Sequence, residues 1–240
     1  MRAIALIARR ELGAYLRTMS GYVIIALFLA LTGLFFNAYG LGGADKRSSD
    51  VLRLFFEIAQ ALTAGAAVFI SMRLLAEERQ TGTLTLLYSS PIRDVEIVLG
   101  KFLASLVFLG LVLLTTTFMP LLVMVHGKIS WGHVGAGYLG LLLLGGAALG
   151  VGTLGSALAR SQVIAVIATS AMLVALYCFV YVAHVAERPF SEVYAALAFF
   201  PHFQPFESGL IHARDIAYFV MVAYLSLFSA TRVLEARRWR

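Results

Sequence analysis

The sequence predicts an all-α integral membrane protein with six transmembrane helices, and three observations carry that prediction. Of 240 residues, 60% are hydrophobic and 13% charged, with a mean hydropathy of +0.87. Soluble domains run at about 25% charged, and half that charge cannot coat a water-exposed globule of this size. The ionisable residues are gathered into short stretches that separate long apolar runs. The basic residues are also divided unevenly between alternate loops. A soluble enzyme and a disordered chain are excluded, and a single cysteine, Cys178, excludes an internally disulfide-bonded scaffold.

The first element is a helix over residues 1–17 lying on the membrane surface. On a helical wheel Arg2, Arg9, Arg10 and Arg17 share one side, while Ile4, Ala8, Leu12 and Tyr15 lie away from it. Glu11 falls off the arginine side, which assigns it to a partner protein or a local pair. An irregular basic leader is the alternative. A cleaved signal peptide is not expected, because the following apolar run is too long and lacks a small-residue cleavage site.

Six spans follow, at 20–40, 53–75, 101–125, 134–158, 163–185 and 215–234. About 20 apolar residues cross roughly 30 Å of hydrocarbon, and the charge-free runs 18–44, 102–125, 134–159 and 163–183 are each long enough. The second span is bounded by Arg53, Glu57 and Arg73, and the sixth by Asp215 and Arg232. Such flanking side chains reach the interface. An even number of spans puts both termini on one side. Thirteen of the 19 Lys and Arg residues fall on that side, so the positive-inside rule predicts cytoplasmic termini. The same residues flank the membrane without forming a continuous stripe, so no nucleic-acid partner is expected.

The spans are informative by omission. The charge-free cores of the third, fourth and fifth argue against coupling to an ion gradient, which keeps ionisable groups deep in the membrane. The fourth is rich in glycine, including Gly146-x-x-x-Gly150, a spacing that lets helices approach closely or lines a pore. Pro120 should kink the third span, with Thr115–Thr117 near enough to satisfy the freed backbone.

Two connections stand out. The outer segment 187–213 holds Pro189, Pro201, Pro205 and the run ALAFFPHFQPF. It is too interrupted to span and is expected to form short amphipathic helices or a loop against the bundle. The inner region 76–99 begins with polar Glu77, Glu78 and Arg79 and breaks at Thr81-Gly82. It continues through apolar Leu84, Leu86 and Leu87, then starts a helix near Ser90-Pro91 with Asp94 and Glu96 near its N-terminal end. A structured, amphipathic inner region is a candidate docking element; a hairpin without a partner is the alternative. No catalytic residues are predicted: there is no phosphate-binding loop, no H-E-x-x-H and no C-x-x-C. The five histidines scatter over outer loops, and no metal site is expected.

The segment AEERQTGTLTLLYSSP closely resembles the E-E-[KR]-x-x-G-T-L-E-L-L-L-T-[SR]-P signature of ABC-2-type permeases, the membrane subunits of type V ABC exporters. Glu77, Glu78, Arg79, Gly82, Thr83, Leu84, Leu86, Leu87, Ser90 and Pro91 match; Thr85 and Tyr88 depart from it. The tail HFQPFESGLIHARDIAYF resembles the gliding-motility-associated branch, with His202, Phe203, Phe206, Gly209, Arg214 and Asp215 matching and His212 in place of an Asp. The resemblance implies a permease of the bacterial inner membrane that works as a homodimer with a separate ABC ATPase. ATP and Mg²⁺ would sit on that ATPase, and this chain would bind no cofactor. It further implies that Glu77, Glu78, Arg79, Gly82, Thr83, Leu84 and Leu87 contact the ATPase, alongside the Arg9-Arg10-Glu11 helix. A membrane-anchored accessory subunit with a large outer domain is implied for the branch. The complex would export a substrate, or alternatively transmit force to that accessory protein without transport.

Overall fold

A computed structural model describes residues 2–41, 48–82, 93–126, 130–188 and 190–238. Among them the chain is helical throughout. Helix α1 (Arg2–Arg17) leads into α2 (Met19–Phe35), which ends in a π-helical turn at Phe36–Leu41. Next come α3 (Ser48–Ser71), the short α4 (Ala76–Gln80), α5 (Asp94–Thr115) and α6 (Phe118–His126). The chain closes with α7 (Trp131–Leu158), α8 (Gln162–Val185), two short helices α9 (Phe190–Leu197) and α10 (Phe199–Glu207), and α11 (Ala213–Arg238). Six helical stretches are long and apolar enough to cross a membrane.

Helix α7 is the axis of the bundle. Some 72% of its most apolar stretch is buried, against 22% for α2, 17% for α8 and 28% for α11. It packs along α3, α5, α8 and α11. Its glycines make this possible: a Cβ at Gly152 would lie 2.1 Å from Ser71 Oγ, one at Gly137 2.2 Å from the Phe56 ring, and one at Gly140 2.6 Å from Phe206. Of the two roles open to a glycine-rich span, close packing is the one observed.

The third span breaks where Pro120 demands it. Helix α5 ends at Thr115, a turn passes through Thr116 and Thr117, and α6 resumes. Proline has no N–H to give to the carbonyl four residues earlier, and here the Thr116 carbonyl accepts from Met119 N at 3.0 Å instead. The Thr115 and Thr116 hydroxyls bond back to Val112 O and Leu113 O at 2.6 and 2.7 Å.

The bundle has two differently built ends. One, the basic end, gathers α1, α4, the α7–α8 turn and the last turn of α11, where Arg237 donates to Leu158 O at 3.0 Å. The other carries α9 and α10. Helix α10 is inserted into the bundle, with Phe199, Phe203 and Phe206 wholly buried against α7 and α8. Gly209 ends it in a left-handed conformation (φ +78°). There Leu210 N reaches back to Pro205 O at 2.9 Å, and any larger residue would meet His133 at 3.0 Å.

Candidate functional site

At the basic end, α3 unwinds after Ser71 and α4 starts with its first donors already satisfied. Leu75 N and Ala76 N both donate to Ser156 Oγ of α7, at 3.0 and 2.9 Å. These buried N–H groups lack intrahelical acceptors, so a side chain from another helix caps them. The Arg79 guanidinium bonds the Ala159 carbonyl, and Gln80 Oε1 accepts from Gln162 N at 3.4 Å. Helix α4 is thereby fastened to the α7–α8 turn.

Its acidic residues face the other way. Glu77 takes a two-pronged contact from Arg73, with Nε to Oε2 at 2.8 Å and Nη2 to Oε1 at 3.2 Å. Arg73 also bonds the Ser20 hydroxyl at the start of α2. Glu78 Oε1 lies 2.8 Å from Lys101 Nζ, and Glu11 Oε1 of α1 lies 3.0 Å from the same nitrogen. The Lys101 side chain is 2% exposed, so it depends on these carboxylates for compensation of its charge. Glu11 thus pairs within the chain, across 90 residues.

Helix α1 is seated firmly enough to hold Glu11 there. Tyr15 is buried, donates to Ile70 O of α3 at 3.0 Å and stacks on Phe108 with ring centroids 4.9 Å apart. Burial, reinforced by the Glu11 carboxylate, holds the Tyr15 phenol well above its ordinary pKa, so it stays a neutral donor. Gly100 lets Ile7 approach the α5 backbone more closely than any Cβ would allow. Between α1, α4 and α5 lies a cleft of about 210 Å³ lined by Arg10, Glu11, Tyr15, Arg73, Glu77, Glu78, Thr81 and Lys101.

The structure therefore brings Glu11, Glu77 and Glu78 together, with Arg10 on the rim and Arg9 exposed to solvent. Arg79 is turned to the α7–α8 side. Gly82 follows α4 in a left-handed conformation (φ +75°). Thr83, Leu84 and Leu87, with Leu86, Ser90 and Pro91, lie outside the described residues. Sequence reasoning missed Lys101, Arg73, Tyr15 and Ser156. Lys101 was legible only as a basic flank of the third span; its burial and its two carboxylate partners became evident only in the packed bundle.

At the opposite end, His202 and Asp215 form a buried pair, Nδ1 to Oδ1 at 2.7 Å. The other ring nitrogen faces Ala196 O at 3.2 Å, and the ring stacks on Tyr218 at 3.9 Å. Tyr218 donates to Leu197 O at 2.6 Å. This set ties α9, α10 and α11 together. Phe203 and Phe206 pack below it as core, and Arg214 is exposed on the rim of a cleft at this end. Glu207, unsuspected from sequence, is 1% exposed. It accepts from Gln60 Nε2 at 3.2 Å and has Arg53 Nε 3.9 Å from its other oxygen. Burial, followed by the Glu57 carboxylate, pushes its pKa up to about 7, with Arg53 opposing. Among the described residues no group of His, Cys, Asp and Glu is arranged to hold a metal ion.

The profile of a protein family described as ABC-2 family transporter protein matches residues 5–208. The chain belongs to the ABC-2 family. The matched stretch runs from α1 through α10 and takes in Glu11, Glu77, Glu78 and Lys101, whereas Arg214, Asp215 and the last span lie beyond it. No curated protein matches the chain. As an ABC-2 protein it is a multi-pass membrane component of an ABC transporter, and the family implies an ABC ATPase as its partner.

Proposed function

We propose that this chain couples ATP hydrolysis on a separate ATPase to export across, or movement at, a bacterial inner membrane. Both termini and α4 face the cytoplasm in this reading, and two copies assemble with two ATPases. The ATPase docks on the region 76–99 and pushes on Gly82, Thr83, Leu84 and Leu87, with Leu84 and Leu87 giving the apolar contact and Glu77, Glu78 and Arg79 setting its register. ATP and Mg²⁺ belong to the ATPase. The His202–Phe219 pattern leads us to place the chain in the gliding-motility-like branch, where an accessory subunit with a large outer domain would meet 187–213.

One observation carries the reading. Helix α4 is bonded at once to α1 and α5 through Lys101, to α2 through Arg73, to α7 through Ser156 and to the α7–α8 turn through Arg79. A push delivered beside it is passed to most of the bundle through these contacts. The test is ATP hydrolysis by the ATPase that co-purifies with the chain, measured in lipid. Gly82→Pro should abolish stimulation of hydrolysis while insertion stays normal, because proline is locked near φ −65° and this position holds +75°. Leu84→Asp should do the same. Wild-type stimulation by either variant would refute the docking assignment.

A further inference from the structure

We infer that Lys101 is a positioning residue that makes α4 and α1 move as one body, so that a push on α4 enters the membrane through α1 as well as along α3. The inference rests on the docking role proposed for α4. Its ground is an arrangement in which one buried ammonium is shared by two carboxylates from elements far apart in sequence: Glu78 at 2.8 Å and Glu11 at 3.0 Å. Lysine is rarely buried unless paired, and a buried charge stripped of partners is far more costly than one whose partners are merely exchanged. Lys101 therefore cannot release both acids, although it can release either.

The surroundings favour transmission over a merely local brace. Lys101 sits beside Gly100, where Ile7 of α1 lies against the α5 backbone, so α1 is clamped at the level of the charge. Tyr15, one turn beyond Glu11, continues the contact to Ile70 O of α3. A displacement of Glu78 with α4 drags the ammonium, and with it Glu11 and α1. The two acids also differ from Glu77, whose partner Arg73 lies only four residues away in sequence and whose pair is more exposed.

Shared custody of one charge predicts a non-additive pattern. With the full chain and its co-purified ATPase in lipid nanodiscs, Lys101→Met should lower the stimulated kcat about tenfold, with KM for ATP and ATPase retention unchanged. Lys101→Arg should restore most of the rate. Glu11→Gln and Glu78→Gln should each cost less than about threefold, and the two together should match Lys101→Met. Amide exchange over Arg2–Arg17 in the permease alone should accelerate in Lys101→Met and in the double variant, and in neither single one. A single Gln variant as damaging as the double, or a Lys101→Met protein with normal turnover and normal exchange, would overturn the inference. If Lys101→Met fails to insert, the Glu11→Gln/Glu78→Gln pair decides alone. A wild-type chain that retains no ATPase, with the variants still showing the exchange pattern, would remove the docking role and leave the α1–α4 link standing.

Discussion

At Glu207 a carboxyl group is buried beside Gln60 and Arg53 at the end opposite α4, and its ionisation has a consequence for stability. Its folded pKa of about 7 lies above the ordinary carboxylate value of 4.5, so between those values the fold keeps a proton that the unfolded chain has lost. Raising the pH through that window favours the unfolded state. The melting temperature in detergent should therefore fall as pH rises from below 4.5 to above 7, and Glu207→Gln should flatten that slope. An unchanged slope in the variant would assign the pH dependence elsewhere. The contrast with Lys101 is instructive. Both are buried ionisable groups, but Lys101 has two carboxylates within 3.0 Å, whereas the cation nearest Glu207 stands 3.9 Å away on a largely exposed side chain.

At the scale of the element, α7 shows how a sequence of small residues sets the spacing of its neighbours. Its apolar residues surround it on all sides, as suits a helix buried at the centre. Glycine at 137 is required because the Phe56 ring occupies the volume of a Cβ, whereas at Gly135 nothing lies within 4 Å. Gly137→Ala should destabilise the protein by about 1–3 kcal/mol through overpacking. Gly135→Ala should be neutral or slightly stabilising, by at most about 1 kcal/mol, because alanine is the better helix former. Thermal unfolding of the two variants side by side checks the assignment, since both changes are chemically identical and differ only in what α7 packs against. Helix α10 makes the complementary point: Phe203 and Phe206 enter the space left by Gly140, so an aromatic run in a connecting segment became core.

At the scale of the whole molecule, the two ends are built from different chemistry. The basic end is a lattice of ion pairs and backbone bonds around α4; the opposite end is an aromatic plug locked by His202, Asp215 and Tyr218. The proposed orientation predicts a labelling pattern. In a Cys178→Ser background, cysteines replacing Gly13 or Arg160 should resist a membrane-impermeant thiol reagent in intact spheroplasts, while those replacing Glu192 or His212 should react. The reverse pattern would invert the topology and remove the docking role from α4. Helices α2, α8 and α11 present mostly apolar, unburied faces, as a chain surrounded by lipid requires.

The sequence by itself determined the solvent, the number of long apolar helices and the family, because each is written in local composition or in a contiguous motif. Chain-length limits on spanning a bilayer and the cost of charge in hydrocarbon make those readings independent of packing. The break at Pro120 was legible for the same reason, since a missing N–H acts on its own helix. What only the tertiary structure decided was pairing across distance. Glu11 was visibly misplaced on its wheel, but nothing local could show that Lys101, 90 residues away, would share it with Glu78. Nor could composition distinguish glycines that line a pore from glycines that admit Phe56, Ser71 and Phe206. Those choices depend on which helices meet, and that is settled by how the whole bundle pairs its buried charges and packs its small residues.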